Sequence, residues 1–206
     1  MVFAFCRTDK NANVLIVCTE LCTLHFQKVV SENNLLSNAL FADGSSAVLI
    51  ENTPSKIGFS LKLKSFYCDL FPEGNKDMEW NISDFGFEMT LTSNVPKIIK
   101  NGINSLYNNL LTHSKLTRND ISLYAMHPGG RAILEVIETA LGLTKADNNY
   151  AYEVLENYGN MSSATILFVL QKILNNLTEK EEGDNILSCA FGPGLTLESM
   201  ILEVVK

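Results

Sequence analysis

Long apolar runs are missing from this chain. None of its hydrophobic segments approaches the length of a membrane span, which predicts a soluble protein. A basic-then-apolar leader is missing from the N-terminus as well, so cytoplasmic residence is the expectation. Basic residues are scarce: Lys and Arg number 16 against 23 Asp and Glu, a formal charge of −7. A nucleic-acid partner needs a basic surface and is not expected, although a local basic mouth for an anionic ligand is compatible with these numbers. The five cysteines are Cys6, Cys18, Cys22, Cys68 and Cys189. An odd count in a leaderless chain excludes a disulfide framework as the organising principle. Cys18 and Cys22 stand too far apart for a C-x-x-C pair and no second pair follows, so no metal site is expected. Repeats and low-complexity segments are also lacking.

What is present suits one sizeable core or two closely packed small domains, with 206 residues, 46% of them hydrophobic and 19% charged. VLIVC (14–18) is a short all-apolar run and predicts a strand buried on both faces, as in a parallel sheet. AVLIE (47–51) predicts a second strand after an Asp43-Gly44 turn. Residues 52–60 read as a connection, 61–71 as a strand, and 72–79 as a polar loop. The several Asn-Asn pairs read as turns. In the second half Pro96 opens a helix striped by Ile98, Ile99, Ile103, Leu106 and Leu110. ISLYAM (121–126) reads as a buried strand, 131–141 as a helix and 161–176 as a strong helix. NILSCAF (185–191) and LTLESMILEVV (195–205) are strands joined by Gly-Pro-Gly. The alternation predicts a layered α/β fold with a mixed sheet.

His127 stands where a buried strand ends and a helix is about to begin, the edge at which open α/β sheets bind ligands. Pro128 fixes φ, while Gly129 and Gly130 allow close approach to the backbone. A histidine at a strand end is often purely structural; with Pro-Gly-Gly and a helix behind it, a functional role is equally compatible. Asn160 is either an N-cap for the helix after Met161 or an amide donor aimed at an oxyanion. Phe191-Gly192-Pro193-Gly194 is either a plain hairpin or a rigid cavity wall. Cys22 and His25 lie just past a strand end, where a pocket could form. His113 reads as solvated.

HPGGRAIL (127–134), YGNMSSA (158–164) and FGPGLTLE (191–198), in that order, resemble the type III polyketide synthases, the chalcone and stilbene synthase family of the thiolase superfamily. VCTE (17–20) and ALFADGSSAVL (39–49) match the same family upstream. The related ketoacyl-carrier-protein synthases usually carry His-Gln-Ala-Asn where this chain has His-Pro-Gly-Gly. The resemblance implies a thiolase-like layered fold with mixed β-sheets: residues 1–52 as the last strands of the N-terminal half, and 53–206 as the C-terminal half. It implies an acyltransferase that condenses an acyl-CoA starter with malonyl-CoA by decarboxylative Claisen condensation. CoA thioesters are then substrates, no further cofactor is expected, and the partner is a second copy or a complementing N-terminal half.

Carried over position by position, the resemblance makes His127 and Asn160 catalytic. It sets Gly129, Gly130 and Ala132 along the pantetheine arm, and Phe41 and Met89 at the gatekeeper positions. His25, Trp80 and Ser162 match cavity-lining positions. The family's Gly-Phe-Gly-Pro-Gly loop matches Ala190 to Gly194, with its first glycine replaced. Met89, Trp80 and Ala190 depart from the plant pattern. The family's nucleophilic cysteine is expected about three helical turns ahead of Met1, so this polypeptide alone is not expected to form an acyl-enzyme. Two other readings compete: a non-catalytic acyl-CoA or partner-binding module, and a Cys/His hydrolase using Cys22 or Cys189.

Overall fold

The computed structural model describes residues 2–53, 58–84 and 86–206. A short helix α1 (Val2–Thr8) leads into β1 (Asn13–Glu20), helix α2 (Glu32–Leu40) and β2 (Gly44–Glu51). β1 and β2 form an antiparallel ribbon with Leu15 opposite Leu49 and Val17 opposite Ala47. A second sheet follows the order β3-β8-β7-β6, built from β3 (Ser60–Leu70), β6 (Ile121–Met126), β7 (Asn185–Gly192) and β8 (Thr196–Val205). β6 pairs with β7 in parallel, while β8 runs antiparallel to both β7 and β3. A parallel pair needs a crossover, here α4 (Arg131–Leu141), α5 (Asn149–Tyr158) and α6 (Thr165–Asn176).

Helix α3 (Val95–Ser114) buries Ile99, Ile103, Leu106 and Leu110, the stripe that its sequence spacing predicts. It packs on β3, β8 and α4, while α5 and α6 pack on β6. The core lies between these helices and the sheet, with Met126, Leu134, Ile137, Ile173, Ile186 and Leu197 among its fully buried side chains. A small hairpin of β4 (Met78–Ser83) and β5 (Gly86–Leu91) stands apart from both sheets.

The structure corrects several expectations. β1 is not buried on both faces in a parallel sheet: its side chains alternate between half-buried and exposed, and its partner is antiparallel. One face of the ribbon packs on α6 and the 162–164 turn. The other carries Leu15 and Val17 at 62% and 59% exposure. Residues 78–79 are not loop but the start of β4, and α2 and α5 arise where no helix was expected. Asn-Asn pairs are not confined to turns: Asn33-Asn34 lies in the first turn of α2 and Asn108-Asn109 inside α3. Ser31 explains the first of these, since its hydroxyl caps α2 by accepting from Asn34 N–H at 3.2 Å. His113 lies inside α3 and is exposed. The connection over 52–60 falls partly outside the described residues.

Candidate active site

The edge at the C-terminal end of β6 builds the site. Past Met126 the pairing continues for one residue, with His127 N–H donating to the carbonyl of Cys189 on β7 at 2.8 Å. The chain then doubles back, Gly129 N–H donating to His127 O at 2.9 Å. A β-carbon on Gly129 would stand 3.1 Å from Ile133 Cδ1 and 3.5 Å from His127 Cδ2, so glycine keeps this turn against the ring. The imidazole is 7% exposed. Among the described residues it makes no hydrogen bond; its one ring contact is edge-on with Phe191, centroids 5.8 Å apart. Burial pushes its pKa down to about 4. At neutral pH the ring is therefore uncharged, with one N–H donor and one acceptor nitrogen.

Asn160 reaches the same cavity from the loop between α5 and α6, and is 4% exposed. Its backbone is clamped to the start of β2's approach: Asn160 N–H donates to Leu40 O at 3.0 Å and Ala42 N–H to Asn160 O at 2.9 Å. Gly159 makes this pairing possible, since it sits at φ +72° with Ala42 Cβ only 3.1 Å from where a side chain would begin. The amide orientation follows from its partners. Oδ1 accepts from Ser162 N–H at 2.9 Å, and Nδ2 donates to Gly129 O at 3.3 Å. An amide nitrogen carries two hydrogens, so one is left for a ligand.

The α-helix expected from Met161 begins only at Thr165. A 3-10 turn, Ser162–Ala164, precedes it, with Ser162 at φ +50°. Asn160 thus caps this turn rather than α6, and Glu20 at the end of β1 fixes it from the other side. Its Oε1 accepts from Ser163 N–H at 3.3 Å and, more closely, from the Ser163 hydroxyl. The left-handed backbone at Ser162 cannot belong to an α-helix, so α6 begins only after this turn.

His127 and Asn160 open onto one cavity of about 610 Å³. Gly129, Phe41, His25 and Ser162 line it, as do Trp80 and Met89 from the hairpin and Phe191, Gly192 and Pro193 from the β7–β8 turn. Gly130, Ala132 and Gly194 do not. Gly130 caps α4 beside the Leu40 methyls, Ala132 is exposed on α4, and Gly194 packs against Leu70 and Thr196. Sequence reasoning missed Glu20 and Ser163, although both lie inside quoted motifs; a carboxylate closing an apolar strand was the available signal. Cys22 also lines the cavity. Burial raises its pKa, and the Glu20 and Asp43 carboxylates raise it further. Cys189 is buried behind His127, which pushes it up to about 12. Both remain thiols at neutral pH, so neither is the activated thiolate that a Cys/His hydrolase requires.

Known proteins share this arrangement of chain. The putative chalcone synthase of Bacillus subtilis is 31% identical over 208 residues, covering 98% of this chain and 57% of that protein. The probable polyketide synthase 1 of Dictyostelium discoideum is 33% identical over 97% of this chain, which matches 6% of that much longer protein. The crystal structure of 1,3,6,8-tetrahydroxynaphthalene synthase from Streptomyces coelicolor, a bacterial type III polyketide synthase, superposes with a TM-score of 0.91 at 27% identity. It covers all of this chain and 58% of that one. The chain thus spans little more than half the length of the Bacillus relative. The family described as chalcone and stilbene synthases, C-terminal domain, matches residues 62–206. With that match over most of its length and a thiolase-like fold, the chain belongs to the type III polyketide synthases, of which it represents the C-terminal part.

Proposed function

We propose that this chain supplies the oxyanion-stabilising part of a site that condenses an acyl-CoA starter with malonyl-CoA. The observation that carries the reading is a buried, uncharged imidazole without a hydrogen-bond partner among the described residues, facing one cavity with an amide that has one N–H to spare. When the malonyl thioester loses CO₂, the C–C bond breaks and its electron pair becomes an enolate whose charge rests on the thioester oxygen. Two donors in a largely apolar cavity lower the energy of that charge. The carbanion then attacks the starter thioester, expelling the thiolate that carried it. That acyl-accepting thiolate is assigned to none of the five cysteines of this stretch and comes, in this reading, from residues outside it. CoA thioesters are the only small molecules the reaction requires.

Decarboxylation alone needs the donors and not the nucleophile, so it tests the reading directly. Malonyl-CoA incubated with the chain should yield CO₂ and, after the enolate takes a proton from water, acetyl-CoA detectable by mass spectrometry. His127→Ala and Asn160→Ala should each slow this by on the order of 100-fold. The rate should stay flat from pH 6 to 8, because the ring titrates well below that range. A rate indifferent to both substitutions overturns the assignment. Malonyl-CoA binding without acetyl-CoA formation would instead identify a binding-only module.

A further inference from the structure

The turn that carries Asn160 into the site is strained and is held from outside. Ser162 at φ +50° occupies the left-handed region that side chains disfavour. Such a residue persists where its surroundings over-determine it. The β1–β2 ribbon supplies those surroundings. Its register sets Glu20 opposite Gly44, and both residues reach the turn. Glu20 accepts from the N–H and the hydroxyl of Ser163. Gly44 seats Met161: a β-carbon at Gly44 would stand 2.7 Å from both Cβ and Cγ of Met161, closer than packed carbons approach. Further along β2, Ser46 Oγ donates to Ala164 O at 3.4 Å. Met161 is 2% exposed and is not among the cavity-lining residues.

The N–H that donates to Asn160 Oδ1 belongs to the peptide unit joining Met161 to Ser162. That unit is planar, so whatever fixes Met161 also fixes the direction of this N–H. Through it, the amide is turned so that its second Nδ2 hydrogen is left for a ligand. Methionine ordinarily fills gaps adaptably; here the glycine seat admits it against the β2 backbone and burial closes the remaining space. We propose that Met161, seated on Gly44, is a positioning residue that holds the Asn160 amide on the developing oxyanion. This role rests on the acyl-thioester reading above and assigns part of that site's aim to a side chain that touches no substrate.

The measurement is acetyl-CoA formation from malonyl-CoA, under conditions where circular dichroism shows every variant folded. Met161→Ala should lower kcat about tenfold, the effect of slightly misplacing one donor, and leave KM within about twofold. Met161→Leu keeps the buried volume and should recover most of the rate. Gly44→Ala, which pushes the turn off β2, should also lower kcat. The decisive comparison is the double-mutant cycle. In an Asn160→Ala background, Met161→Ala should cost no further rate, because the group it aims is gone. In a His127→Ala background it should again cost about tenfold. Gly44→Ala should obey the same cycle, so the outcome does not hang on how well Met161→Ala folds. A cost that persists in the Asn160→Ala background, or no cost in the unaltered one, overturns the positioning role and leaves the thioester reading intact. An unaltered chain that forms no acetyl-CoA, or forms it at a rate indifferent to Asn160→Ala, overturns that reading and the role of Met161 with it.

Discussion

His127 shows how a single residue couples chemistry to stability. An exposed histidine takes up a proton near pH 6.5, whereas here burial holds the ring neutral down to about pH 4. Above pH 6.5 folded and unfolded chains carry the same proton count at this residue, and it contributes no pH dependence. Between 6.5 and 4 the unfolded chain binds a proton that the folded one refuses, so stability falls with falling pH. By pH 5 the loss from this residue alone should reach about 2 kcal/mol. Asp43, Asp120 and Asp147, lowered by their hydrogen bonds to threonines, and Glu179, Glu181 and Glu203, lowered by hydrogen bonds to lysine or threonine, act mainly below pH 5, so they add little between pH 7 and pH 5. Urea unfolding at pH 7 and pH 5 should show that loss in the unaltered chain and not in His127→Gln. An equal loss in both places the effect elsewhere. His127 is legible as a candidate because a strand end, a proline and two glycines surround it, whereas Asn160 is singled out by the resemblance of YGNMSSA to the family motif. The seat of Met161 is not legible, since nothing in YGNMSSA marks that its side chain will pack on Gly44.

Among the elements, the 3-10 turn 162–164 shows where sequence reading stops. Periodicity found the helix through Asn176 and misplaced its start, because the left-handed backbone at Ser162 and the tie from Ser163 to Glu20, 143 positions away, have no periodic signature. The same holds for the hairpin β4–β5. Residues 78–79 read as the end of a polar loop and 80–91 carry no clear local signal, whereas cross-strand pairing such as Trp80 opposite Met89 makes the segment a pair of strands. Buried strands and striped helices were legible because their signal is local; these two elements depend on distant partners. Glu20 offers a direct check. Glu20→Ala removes both bonds that hold Ser163 and should destabilise the fold by about 1–2 kcal/mol. Glu20→Gln keeps an acceptor oxygen in place and should recover most of that. Because the turn also carries the N–H that Asn160 Oδ1 accepts, Glu20→Ala should slow malonyl-CoA decarboxylation beyond what its stability loss explains at 10 °C. Equal stability for Ala and Gln at this position would show that the turn holds itself.

For the whole molecule, the layered α/β arrangement is legible in the sequence while the surroundings of the first strand are misjudged, and that misjudgement is informative. An apolar run such as VLIVC is written for burial on both faces, yet among the described residues only one face of the β1–β2 ribbon is covered. The outward face presents Leu15 and Leu49 as a cross-strand pair, with Val17 beside them, each more than half exposed. Phe5, Leu35 and Leu36 add exposed apolar side chains on α1 and α2. A two-stranded ribbon also leaves both outer edges unpaired, a template for further strands. The 206-residue chain should therefore associate through this ribbon, giving a light-scattering mass above that of one chain at micromolar concentration. Lysine at an outward position makes such pairing costly, because the ammonium would have to be buried without a partner. Leu15→Lys combined with Val17→Lys should shift the chain to a monomer without disturbing the helical circular dichroism, since neither side chain contributes to the core. An unaltered chain that is monomeric at high concentration, or an associated state indifferent to both lysines, would place the contact on another surface.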